Sequence, residues 1–218
     1  MSMEFQGFSP ETIDFLWGLR FNNNREWFEP HKQQYVQTLY EPMKALAAAL
    51  YPGVREDLPE LECKVSRIYR DQRLHPPVPY KESLWVCFRT SDRPWGEQPV
   101  LFFELTPDDY SFGFLLWFAR PWQMEQLRKQ LLTEPGPFLK IVGDLEAGGT
   151  LKLGGQAYKK AKPCPDPALE RFFAMKNLAA HVNRGIDEQL YSPALAQEIG
   201  ETFDSLKPLM RYCRKVML

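Results

Sequence analysis

Two rhythms of apolar residues run along this chain. In the first fifty residues, Tyr35, Leu39, Met43, Leu46 and Leu50 are separated by steps of three and four, which sets them on one stripe of a helix. Ahead of them, "GFSPETIDFLWGL" carries a helix start. Ser9 suits the cap, Pro10 the first helical position and Glu11 the positive end of the dipole, while Phe8 can pack on Ile13. The run is expected to close at Asn22, Asn23 and Asn24, and "REWFEPHK" to continue helically until Pro30 breaks it or opens a new turn. Pro42 predicts a kink or two abutting helices inside the stripe, and Pro52 with Gly53 predicts its end. Ser192 and Pro193 repeat the Ser-Pro entry near the C-terminus. Beyond them Leu195, Ile199, Phe203, Leu206, Met210, Cys213 and Met217 hold a near-heptad stripe, interrupted by Pro208 and too short for a sustained coiled-coil seam.

The middle of the chain changes period. "CKVSRIYR", "SLWVCFRT", "PVLFFELT" and "YSFGFLLWF" are short, rich in aromatic and β-branched residues, and bounded by Pro, Asp and Gly, so they read as four strands. Their short connections favour antiparallel neighbours and hence a meander. On the last of them Phe112, Phe114, Leu116 and Phe118 face one way while Leu115 and Trp117 face the other, which leaves neither side suited to water. Helices are expected on one side. The rest of the chain, a ligand cleft or a partner subunit is expected on the other. "WQMEQLRKQLL" and "DPALERFFAMK" read as helices, and "EPGPF" and "EAGGTLKLGGQAYKKAKPCPDP" as a glycine- and proline-rich connection with room for a hairpin. The fold class that results is α+β: one domain over residues 1–218, with an antiparallel sheet of at least four strands packed by N- and C-terminal helices.

Composition narrows the functional classes. With 27 Lys and Arg against 28 Asp and Glu, bulk charge attracts neither nucleic acid nor a membrane surface, so any electrostatic function must be local. Cys63, Cys87, Cys164 and Cys213 form no CxxC pair and read as reduced thiols. No apolar run approaches membrane-spanning length and no leader pattern opens the chain, so a cytoplasmic protein is expected. His31, His75 and His181 lack metal-ligand spacing, and "GGTLKLGG" lacks both the GxGxxG and the GK[ST] phosphate signatures, so neither metal nor cofactor is expected. Lys152, Lys159, Lys160 and Lys162 read as a solvated loop.

One stretch concentrates charge. "RIYRDQRLHPPVPYK" places Arg67, Arg70, Arg73 and Lys81 around a proline-stiffened turn with Asp71 as the one acid. On a strand Arg67 and Tyr69 would share a face and Arg70 the opposite one, so the cations meet only if the chain turns, with Arg73 and Lys81 returning toward Arg67 or Arg70. One reading is a structural clamp between sheet and helix, in which Asp71 pairs with one arginine while another caps a helix carboxyl end; Glu26, Glu29 or Glu82 could supply the remaining partners. The other is a site for phosphate or carboxylate, since guanidinium forks match such oxyanions and one acid cannot neutralise four cations. Tyr80 is a candidate hydroxyl donor there. Asn23, Asn24 and Trp27 of "NNNREWF" read as cap, turn and core residues, or as amides and a wall for the same ligand. An enzyme using Asp71 or His75 as a base, and a protein-interaction module using the apolar sheet face or the terminal helix, are the rival classes. Oligomeric state is left open.

The order of these motifs resembles a known family. "FSPETIDFLWGLRFNNNREWFEPHKQQY", "SRIYRDQRLHPPVPYK" and "YKKAKPCPDPALE" are similar to the conserved hypothetical proteins catalogued as domain of unknown function 2461, over nearly the whole chain. Asn23, Asn24, Trp27, Phe28, Arg67, Arg70, Asp71, Arg73, Pro79, Tyr80 and Lys81 carry the match. The resemblance implies a single α+β domain and brings no activity with it. It also marks a departure: family members follow the RDxRF motif with a Ser and an Asp-Lys pair before PYK, where this chain has Leu74, His75, Pro76, Pro77 and Val78, one residue shorter.

Overall fold

Five strands form one antiparallel sheet in sequence order: β1 (Glu62–Val65), β2 (Leu84–Arg89), β3 (Val100–Leu105), β4 (Asp109–Leu116) and β5 (Leu178–Gly185). The computed structural model describes residues 4–71, 73, 77–160 and 162–218. The expected four-strand meander is present, and β5 extends it after a long helical excursion, with Phe112 opposite Val182 and Phe114 opposite Ala180. Gly113 makes that last pairing close. Its φ is +151°, and a Cβ there would lie 2.4 Å from the Ala180 carbonyl oxygen.

Period-2 alternation sorts the sheet residues into two faces. Val86, Phe88, Leu101, Phe103, Phe112, Phe114, Leu116, Ala180 and Val182 join the helices in one continuous core. Trp85, Cys87, Val100, Phe102 and Leu115 project the other way and form a separate apolar cluster without helical members. The α-helices that pack on the sheet lie on the first of these faces. There α3 (Glu41–Asp57) crosses β1 and β2, α7 (Ala194–Met217) crosses β4, and α4 (Pro121–Thr133) and α5 (Pro135–Ala147) pack on α7. The stripe from Leu195 to Met217 is buried throughout, as its spacing implied.

Prolines break fewer helices than expected. α1 (Pro10–Phe21) opens at Pro10, but α2 (Arg25–Gln34) runs through Pro30, α3 through Pro52, and α7 through Pro208. Each of these prolines withholds a donor from the carbonyl four residues earlier. Those carbonyls belong to Glu26, Ala48 and Asp204, all exposed residues, so water can take the donor's place. Pro135 begins α5 outright, because a missing N–H is harmless in the first turn; the expected "EPGPF" connection is thus helix. Pro42 follows a π-helical segment, Tyr35–Tyr40, and the carbonyl it leaves at Thr38 accepts the Thr12 hydroxyl at 2.6 Å.

Candidate anion-binding site

The chain leaves the sheet ladder after Val65, earlier than the period suggested. Ser66 still exchanges two hydrogen bonds with the Trp85 backbone: its N–H donates to the carbonyl at 2.8 Å, and its hydroxyl accepts from the Trp85 N–H at 3.0 Å. Ile68 is then buried in the core. Beyond it the segment doubles back on itself. The Lys81 N–H donates to the Ile68 carbonyl at 2.7 Å, the Arg70 N–H to the Pro79 carbonyl at 2.8 Å, and Tyr69 bridges Tyr80. This short ladder sets Lys81 beside Arg67, and its ammonium donates to the Arg67 carbonyl oxygen at 2.8 Å. The returning strand is anchored from below by Tyr80, which is buried with its ring stacked on Phe28 at 4.1 Å.

An open cavity of about 410 Å³ lies above this ladder, lined by Lys64, Ser66, Arg67, Tyr69, Arg70, Asp71, Lys81 and Trp85. Arg67, Tyr69 and Arg70 therefore face one space. Strict alternation would have separated them, and it fails because the residues after Val65 form turns and isolated bridges in place of a strand. The cavity is electropositive. Burial, then the Arg70 and Arg67 charges, hold the Lys81 ammonium below the ordinary lysine pKa, with Glu104 acting in the opposite sense. Glu104 is itself engaged, accepting from the Ser83 hydroxyl at 2.7 Å. Among the described residues no ion pair involves Lys64, Arg67, Arg70 or Lys81, and the buried Arg70 Nε has no acceptor.

Arg73 does not join them. Its guanidinium forks onto Asp71, with Nε–Oδ1 at 3.0 Å and Nη2–Oδ2 at 2.7 Å, and its side chain is 87% exposed. The acids that could have completed a clamp are occupied elsewhere: Glu82 holds Arg20 at 2.8 Å and Glu29 faces Arg25 at 3.7 Å. Among the described residues no ion pair joins Glu26 to the cluster. His75 lies outside the described residues.

Asn23, Asn24 and Trp27 do not line the cavity. Asn23 holds the backbone of Tyr80 with two bonds, Nδ2–H to the carbonyl and the N–H to Oδ1, both 3.0 Å. The Asn24 side chain caps α2 by accepting from the Trp27 N–H at 2.9 Å. The Trp27 ring stacks on His31 at 4.1 Å and lies so close to Gly18 that a Cβ there would come within 2.6 Å of it.

The charge pattern alone did not point to a neighbouring aromatic cleft of about 340 Å³. Trp85, Trp95, Trp117, Phe102 and Leu115 wall it, with Cys87, Val100 and Glu104 completing the lining. Its sequence signal was the apolar character of both faces of β4. The expectation that Phe118 would share the core face fails, since the chain ends its strand at Leu116 and Phe118 is exposed. Cys87 is buried and its thiol is pushed up to about 12 by desolvation, so it remains an unreactive thiol at neutral pH. Trp85 belongs to both cavities, and the Lys81 ammonium lies 5.7 Å from its ring centroid.

In a larger cavity of about 570 Å³ between α5 and α7 the lining cation, Arg184, is already matched: it donates to Glu198 at 3.0 Å, as does Gln189. Among the described residues no group of three or more His, Cys, Asp or Glu is arranged to hold a metal, and no helix is long and apolar enough to cross a membrane. Comparison with curated proteins finds no match. Residues 11–212 match the conserved hypothetical protein family DUF2461, with the helix junction, the charged turn and the whole sheet inside the matched span, and the chain belongs to that family.

Proposed function

We propose that this protein is a cytoplasmic binding domain for a small anionic ligand, phosphate or carboxylate, held by Arg67, Arg70 and Lys81. One observation carries the reading: these three cations share a solvent-open cavity and none has a carboxylate within ion-pair distance among the described residues. Cations brought together without counter-charge repel one another: burial first, and then the Arg70 and Arg67 charges, disfavour the Lys81 ammonium, and a bound oxyanion would relieve the repulsive part. In this reading Asn23 and Tyr80 support the ladder, Asn24 and Trp27 fix the helix beneath it, and Asp71 with Arg73 stands at the cavity edge as an ion pair. Catalysis with Asp71 as base is less well supported, since its carboxylate is held bidentately by Arg73. The four free, scattered cysteines support a reducing compartment.

Calorimetric titration with inorganic phosphate and acetate tests the proposal. Saturable binding is expected, with Arg70→Ala weakening phosphate by about tenfold or more, the loss of one charge-assisted contact. Absence of binding, or affinity indifferent to the substitution, refutes it.

A further inference from the structure

The anion site and the aromatic cleft are two halves of one surface. They meet at Trp85, whose ring forms a wall of both cavities, and Lys81 sits 5.7 Å from the centre of that ring. Trp95 is carried over the sheet by the β2–β3 connection and lies against Trp85 with ring centroids 5.8 Å apart and planes inclined by 36°. The connection that carries it is tied by Gln98, whose amide donates to the carbonyls of Thr90 and Arg93 at 3.1 and 2.9 Å. Trp95 and Trp117 nevertheless remain 40% and 42% exposed. Large indoles with few rotamers to lose, left partly open to solvent, form a stacking surface at little entropic cost.

We infer that the ligand is an aromatic acid: a planar ring lying in the cleft walled by Trp85, Trp95, Trp117 and Phe102, bearing a phosphate or carboxylate that reaches Arg67, Arg70 and Lys81. This deepens the anion-binding reading and rests on it. The dimensions agree, since the cleft volume falls within the range of small-molecule pockets and the ammonium stands within one ring's reach of the stacking wall. A ring without charge would leave the cations unmatched. A free inorganic anion would leave the indoles unused.

The test compares phenyl phosphate with inorganic phosphate, and benzoate with acetate and with cyclohexanecarboxylate, by calorimetry on the full chain and on Trp95→Ala and Trp95→Leu. Phenyl phosphate is expected to bind at least tenfold more tightly than phosphate, and benzoate to exceed its non-planar analogue. Both Trp95 variants are expected to reduce the phenyl phosphate advantage to below threefold while leaving the affinity for inorganic phosphate unchanged, which also reports that they are folded. The phosphate and carboxylate arms separate the two head groups. Equal affinities for phenyl phosphate and phosphate in the unsubstituted chain overturn the aromatic assignment and leave the anion site standing, as does an advantage that survives both variants. Binding of neither anion class removes the underlying site and this inference together.

Discussion

Asn23 and Tyr80 are joined side chain to backbone by two reciprocal hydrogen bonds of 3.0 Å, so an amide at the α1–α2 junction imitates a neighbouring strand for the returning arm of the charged turn. Lys81 is the next residue, and its placement depends on this splint. Asn23→Ala leaves the Tyr80 N–H and carbonyl without these partners. A loss of about 2 kcal/mol in urea unfolding is expected from two such bonds, together with weaker phosphate binding. Unchanged stability would show that the splint is dispensable.

Thr12 makes a comparable side chain to backbone contact on the segment that leads to Pro42. Its hydroxyl accepts from the Ser9 N–H at 3.1 Å and donates to the Thr38 carbonyl at 2.6 Å, in the place where Pro42 has no N–H to offer. The side chain is fully buried. Thr12→Val preserves its shape and removes both bonds, so a destabilisation of about 1–3 kcal/mol is expected. Thr12→Ser, which keeps the hydroxyl, is expected to lose less than Thr12→Val in the same unfolding experiment.

Lys81 is expected to set an alkaline limit on the proposed site. Its folded-state pKa is lowered, chiefly by burial and then by Arg70 and Arg67, so the ammonium is disfavoured in the folded chain. The resulting cost to folding is fully present below the folded-state pKa. It is relieved as pH rises from that value toward the ordinary lysine pKa, a window in which the unfolded chain binds more protons and stability climbs. The proposed anion binding would have the opposite dependence because it would use the charged form. Phosphate affinity is expected to fall as pH rises through the depressed pKa, before an ordinary lysine would titrate, and Lys81→Met is expected to abolish that limb. A pH profile identical in the two proteins would exclude the lysine from the site.

The parts of this fold legible in the sequence were those in which one local rule acted alone. Alternation found β2, β3 and β4, and the three-four stripe found the terminal helix. The proline rule misled at Pro30, Pro52 and Pro208, because a helix tolerates proline where the orphaned carbonyl belongs to an exposed residue, and exposure is a tertiary property. β5 was missed because "LAAHVNRG" is small and polar, and its pairing is secured by a glycine on another strand. At the site, the surplus of cations could be read from the sequence. Which cations converge could not, since Arg73 finds Asp71 two residues away while Lys81 is brought to Arg67 by a ladder that the strand period does not announce.

The convergence itself can be observed residue by residue. Nitrogen-15 spectra of the arginine Nε–H groups during phosphate titration follow Arg67, Arg70 and Arg73 in one experiment. The Arg67 and Arg70 signals are expected to shift together along one saturation curve, and the Asp71-bound Arg73 signal to move far less. Three arginines that shift alike without saturating, or Arg67 and Arg70 signals that do not respond, would contradict a shared anion site.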